Sequence, residues 1–167
     1  MILADKTLKL LVEQGLIKSP LTKADLYIGP ASIDLTLSND IRVFNDRGET
    51  EHIKCTKEVV IKPKEFLLAS TNEYVEIPNN MAGIVMGRSS IARLGVQVEC
   101  AGFIDSGFKG KITLEVFNQT DLLRYLPVNG RVCQLVMFKL DQECENPYRG
   151  KYQGQETVTE SRLEDYE

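Results

Sequence analysis

The sequence predicts a mainly β domain that follows one short N-terminal helix. Three observations carry the prediction. Apolar and polar residues alternate in short runs from residue 32 to residue 140, clusters of Gly, Pro, Asn and Asp punctuate those runs, and helical spacing is strongest at the start of the chain. With 167 residues the chain suits one domain, and a chain of that size buries roughly 70% of the surface its unfolded form exposes.

The elements follow in order. Residues 5–16 read as a helix, with Leu8, Leu11 and Val12 on one face, Leu16 one turn further and Gly15 placed to end it. A second helical turn is predicted in PLTKADL, residues 20–26. In SIDLTLS, residues 32–38, Ile33, Leu35 and Leu37 take one face and Ser32, Asp34 and Thr36 the other. Further strands are predicted at 40–44, 58–62, 65–71, 73–77, 82–87, 96–100, 111–118 and 131–140, divided by the turns NDRG, IPNN, DSGFKG and LPVNG. SSIARLG, residues 89–95, is the one mid-chain stretch that suits a short helix. Many short strands between turns indicate a barrel or a sandwich. Residues 1–140 form the β domain, helix included, and residues 141–167 are too polar to fold alone. That tail either frays or folds over a ligand, for which Tyr148, Lys151, Tyr152 and Gln155 supply an aromatic face, a cation and an amide.

Composition narrows the function. A net charge of −4 with dispersed basic residues gives no electrostatic footprint for nucleic acid. No apolar run approaches the ~18 residues of a membrane span. The start, MILADKTLKLL, has no secretory signal character, so a cytoplasmic location is expected. Cys55, Cys100, Cys133 and Cys144 contain no C-x-x-C pair and His52 is the only histidine, so reduced thiols are expected and a zinc site is not.

The candidate chemistry lies in residues 87–119. In KITLEVFN, Ile112, Leu114 and Val116 share one face, and Thr113, Glu115 and Phe117 share the other. Glu115 is either on the solvated face of an edge strand or a partly buried carboxylate suited to moving protons. Asp105 opens the turn SGFKG, where an aspartate commonly accepts backbone N–H bonds, and Phe108 reads as an exposed aromatic placed to wall something. Arg88, Ser89, Ser90 and Arg93 follow Gly87 at a strand-to-helix turn. They form either a surface loop or a set of hydroxyls, amides and guanidinium forks fit for phosphate.

Taken together these blocks resemble the dCTP deaminases and their trimeric dUTPase relatives. The likeness rests on GPASIDLTLS (29–38), EFLLASTNEYVEIP (65–78), GRSSIARLG (87–95), AGFIDSGFKGKITLEVFN (101–118), GRVCQLVMF (130–138) and PYRGKYQGQ (147–155), in the family's order. It implies a distorted, dUTPase-like β-barrel, a homotrimer, and active sites at subunit interfaces. By that likeness Arg88, Ser89, Ser90, Ile91, Ala92 and Arg93 hold the triphosphate, with Ser89 helping to order the reacting water. Ala101 lies by that water, Asp105 meets the 3′-hydroxyl, and Phe108 sits against the sugar. Thr113, Leu114 and Glu115 line the base pocket, with Glu115 as proton carrier. Gln134, Tyr148, Lys151 and Gln155 complete the grip, the last three from a tail that closes over the site.

The reaction implied is hydrolysis of dCTP to dUTP and ammonia through a carboxylate, without zinc. The zinc deaminases use a His/Cys-x-Glu and Pro-Cys-x-x-Cys set that this chain lacks. Mg²⁺ is implied as a partner of the phosphates only. Members that only deaminate carry a His-Arg pair where Gly102 and Phe103 stand here, and Cys100 replaces a common Thr. AGFID is nearer to members that also cleave the dUTP formed, and to plain dUTPases. Glu115, the paired serines and KYQGQ argue against a plain dUTPase. A bifunctional enzyme releasing dUMP and pyrophosphate is therefore the alternative, and inhibition by thymidine triphosphate stays open.

Overall fold

The structure, a computed structural model, describes residues 1–19, 26–98 and 101–163. The helical turn predicted at 20–26 lies outside those residues except for Leu26, as do Glu99 and Cys100 at the end of the predicted strand 96–100. The N-terminal helix α1 (Asp5–Glu13) buries Leu8 and Val12, as its spacing demands. It stops before residue 16 because Gly15 turns left-handed at φ +98°, which lets Leu16 N–H bond to Leu11 O at 2.9 Å and Gly15 N–H to Val12 O at 3.1 Å. This pair of hydrogen bonds closes the last turn and sends Leu16 and Ile17 into the core.

The strands are β1 (Ile17–Lys18), β2 (Ile33–Phe44), β3 (Thr50–Lys54), β4 (Glu58–Ile61), β5 (Phe66–Glu76), β6 (Met81–Gly87), β7 (Val96–Val98), β8 (Phe103–Ile104), β9 (Lys109–Asn118), β10 (Arg124–Pro127) and β11 (Arg131–Lys139), with a one-turn helix α2 (Ser89–Ala92) between β6 and β7. One curled sheet runs β7-β9-β5-β2-β11-β6-β8, with β1 added on β5 and β3 on β2, while β4 and β10 form a separate ribbon. The fold is mainly β, as predicted.

Two pairs of predicted strands fuse. Residues 32–38 and 40–44 are one strand, β2, and residues 65–71 and 73–77 are one strand, β5. The polar residues between them mark bulges rather than turns: register shifts between Leu37 and Ile41 and between Ser70 and Tyr74 absorb the extra residues. On one edge β2 pairs first with β11 and then with β3, so it bends where it changes partner. The bend wraps the sheet round Leu35, Leu67, Leu114, Leu135 and Met137, all fully buried. The polar face of SIDLTLS is not solvated either, since Asp34 and Thr36 are each 5% exposed.

The bulges create a buried acid. Thr36 N–H bonds to Glu73 Oε2 at 2.9 Å and Thr36 Oγ1 lies 2.7 Å from Glu73 Oε1, so a side chain stands where a ladder carbonyl would be. Glu73 is 0% exposed, and burial pushes its carboxyl above the usual range against the pull of the Thr36 bonds. The folded state therefore holds that proton more tightly than the unfolded chain. Its contribution to stability is present below the ordinary carboxylate pKa and is lost as pH rises through the raised one. Glu73→Gln keeps the shape and removes the titration. In paired urea melts the variant should gain on the parent as pH rises through that window, by up to about 1.4 kcal/mol per pH unit for one proton. A pH-independent difference would contradict this.

Candidate active site

β9 lies between β7 and β5 in the sheet order, with β7 paired along Val116–Asn118 and β5 along the stretch that carries Thr113 and Glu115. Ile112, Leu114 and Val116 anchor it in the core, which leaves Thr113, Glu115 and Phe117 half-buried on the outer face. Glu115 stands opposite Leu68, and Thr113 opposite Ser70. That face floors a cavity of about 740 Å³. Thr113 and Glu115 lie along the floor, Ala101, Asp105 and Phe108 form one wall, and Tyr148, Tyr152 and Gln155 come from the tail. Phe44 and Phe66, with ring centroids 5.6 Å apart, close the far end.

The wall is set by the turn after β8. Gly107 sits at φ +82°, and a Cβ on it would lie 2.6 Å from Pro147 Cβ, so no larger residue fits. Ile77 brackets the turn, accepting from Gly107 N–H at 3.0 Å and donating to Phe108 O at 2.9 Å. Phe108 is 8% exposed, packed edge-on to Tyr148 at 5.7 Å. The expected exposed aromatic is therefore covered, because the tail docks on it. Asp105 at the mouth of the turn is exposed.

The tail is tied down residue by residue. Tyr148 N–H bonds to Ser106 O at 2.8 Å, Gly154 N–H to Lys109 O at 2.7 Å and Lys111 N–H to Gln155 O at 2.9 Å. Gln153 accepts from Lys109 N–H and donates to Gly107 O, at 2.8 and 2.9 Å. Gln155 Nε2 bonds to Lys111 O at 2.6 Å, and its Oε1 is buried without a hydrogen-bond partner.

The other predicted residues lie elsewhere. α2 carries Ser89, Ser90, Ile91 and Ala92, and Arg93 caps its end; Ser89, Ser90 and Arg93 are exposed. Arg88 Nε lies 3.2 Å from Asp34 Oδ2, and Arg131 Nη1 lies 3.3 Å from the same oxygen with its guanidinium 4.6 Å from the centre of the Tyr27 ring. Gln134 stands between Asp34 and Met86 in the register. None of the residues from Arg88 to Arg93, nor Gln134, lines the cavity of the same protomer. Lys151 also lies outside it, its ammonium bonded to Arg162 O and 5.6 Å from the Tyr152 ring centre. Leu114 offers only backbone, since its side chain is wholly in the core. Asp34 escaped the sequence reading as a partner of Arg88. Its signal was an acid on the polar face of a strand that turned out to be buried on both faces.

No helix among the described residues is long and apolar enough to cross a membrane. A family profile described as dCTP deaminase-like matches residues 2–140. A protein of Sulfurihydrogenibium named "dCTP deaminase, dUMP-forming" is 41% identical over 177 residues, covering 98% of this chain and 97% of its own. One of Aquifex aeolicus with the same name is 41% identical over 172 residues, covering 98% of this chain and 95% of its own. Among solved structures, the 2′-deoxycytidine 5′-triphosphate deaminase of Agrobacterium tumefaciens shares the fold with a TM-score of 0.71 at 19% identity, over 81% of this chain and 46% of that one. The dUTPase of Staphylococcus bacteriophage 80alpha shares it with a TM-score of 0.54 at 17% identity, over 80% of this chain and 87% of that one. The profile match and the near-full-length identities place this chain in the dCTP deaminase-like family.

Proposed function

We propose that this protein is a dUMP-forming dCTP deaminase, which hydrolyses the 4-amino group of dCTP and then cleaves the dUTP formed to dUMP and pyrophosphate. The observation that carries the reading is that Glu115 and Asp105 line one cavity, with Thr113 and Phe108 beside them. The relatives' shared name favours this two-step reading over release of dUTP.

In the first step water adds to C4, the C4–N4 bond breaks and N4 leaves as ammonia. Glu115 relays protons among the water, N3 and N4, work that a positioned carboxylate performs without zinc. In the second, a water whose proton passes to Asp105 attacks the α-phosphate and pyrophosphate departs. Phe108 and Tyr148 hold the sugar side. Mg²⁺ enters with the phosphates.

The triphosphate needs cations, and among the described residues no Lys or Arg of the same protomer lines the cavity. A homotrimer, in which a neighbour's Arg88, Ser89, Ser90, Arg93 and Gln134 face the cavity, supplies them and gives Ser89 a place near the reacting water. Lys151 joins them once the tail is rearranged on substrate. A cytoplasmic location goes with this substrate.

The test is incubation with dCTP and Mg²⁺ while ammonia, dUTP, dUMP and pyrophosphate are followed. Equal ammonia, dUMP and pyrophosphate are expected. Ammonia with dUTP alone would remove the second step, and no ammonia would sink the reading.

A further inference from the structure

Beyond Gln155 the chain crosses the outer face of β2, β5 and β9, and one residue outside every motif above holds it there. Arg42 lies opposite Leu68, which lies opposite Glu115, so Arg42 and Glu115 share one cross-strand row about 10 Å apart by strand spacing. Arg42 Nε donates to Val158 O at 3.3 Å, and its Nη1 donates to Thr50 Oγ1 at 3.0 Å and stands 3.6 Å from Glu160 Oε2. Thr50 also donates to Glu160. Val158 between these anchors is only 2% exposed, in a stretch otherwise polar. The consequence reaches the floor of the cavity: Thr159 N–H donates to Thr113 Oγ1 at 3.2 Å.

Two effects follow. A hydroxyl that accepts from Thr159 keeps its own proton for whatever occupies the cavity, so the strap sets the direction in which Thr113 donates, two residues from Glu115. Glu160 also lines the cavity, and an acid left loose there would repel a polyphosphate; Arg42 and Thr50 hold its charge at the rim.

We propose that Arg42 is a positioning residue that straps Val158–Glu160 across the cavity and thereby orients the Thr113 hydroxyl toward a bound deoxynucleoside triphosphate. The proposal rests on the nucleotide reading of the cavity given above. It is tested in the full chain with Arg42→Ala, Glu160→Ala, the double variant and Arg42→Lys. Two readouts are used: amide hydrogen exchange over residues 157–163, and KM against kcat for dCTP.

In Arg42→Ala the Thr159 amide should exchange at least about tenfold faster, as expected when a local closure is lost. KM should rise about tenfold, the effect of losing one well-placed hydrogen bond from the Thr113 hydroxyl to the nucleotide, with kcat much less affected. Arg42→Lys restores the charge but not the fork, so its KM falls between the two. The double variant should be little worse than Arg42→Ala, because both changes open the same strap. Unchanged exchange in Arg42→Ala, or KM effects that multiply in the double variant, would overturn the proposal. Should Arg42→Ala fail to fold, Glu160→Ala, whose side chain is half exposed, must still speed exchange and raise KM. Absence of ammonia from the parent protein would instead remove the nucleotide reading, and the exchange data would then decide on the strap alone.

Discussion

Glu115→Gln is expected to abolish ammonia release from dCTP, a fall of about 10²–10⁴-fold in kcat, the range for loss of a positioned general acid–base. The prediction follows from how the side chain is held. Leu114 and Val116 lock β9 into the core on either side of it, and Leu68 faces it from β5, so the backbone that carries the carboxyl is fixed at the cavity floor. Glutamine keeps length, shape and hydrogen-bonding capacity but cannot take up a proton and return it. Binding should therefore survive: a calorimetric titration with the α,β-imido analogue of dUTP, which can be neither deaminated nor cleaved to dUMP, should give a Kd within about threefold of the parent, less than one hydrogen bond is worth. Glu115→Asp tests the geometry separately. It retains the acid but draws it back by one methylene, and a displacement of about 1 Å is enough to cost about 10²-fold. A Glu115→Gln protein that still releases ammonia at the parent rate would remove Glu115 from the chemistry.

How much of this was legible in the sequence depends on what each residue pattern records. β4, β6, β9 and β11 were legible because one face of each packs on the core and alternation reports that burial. β3 was not, since TEHIK alternates nothing and owes its strand to pairing with β2. Asn39, Asp40 and Asn72 look like turn residues, yet the ladder continues past them, because an antiparallel pair can bulge without ending. The two candidate clusters could be recognised as motifs, but their separation within one protomer could not. Arg88 follows β6 and Glu115 is in β9, with β11, β2 and β5 between them in the sheet order. The curl of the sheet still brings Gly87 against Val98 of β7, which pairs with Val116, yet none of the residues from Arg88 to Arg93 lines the cavity. The strap stayed hidden for a different reason. Val158 is the one aliphatic residue in ETVTES, too few to predict burial, and its partner Arg42 lies far away in sequence on an alternating strand where an arginine reads as solvated.

Asp105→Asn should split the two proposed steps, and dUTP should accumulate where the parent protein releases dUMP. Asp105 and Glu115 line the same cavity but are carried differently: Glu115 by a strand interior, Asp105 by the exposed mouth of a turn bracketed through Gly107 and Phe108. A base for attack on the α-phosphate must reach past the sugar toward the phosphates, and Asp105 on the wall is the acid proposed for it, with Glu115 on the floor kept for the pyrimidine. Asparagine still accepts from a 3′-hydroxyl, so the base stays seated against Glu115, but it cannot take a proton from water. Pyrophosphate release should fall about 10²–10⁴-fold, while ammonia release falls by no more than about tenfold. Because the turn is held by backbone bonds and by the fit of Gly107 against Pro147, the substitution should leave the melting temperature close to the parent's. Equal loss of both products would make Asp105 a common sugar-binding group, and the water attacking the phosphate would then need another base.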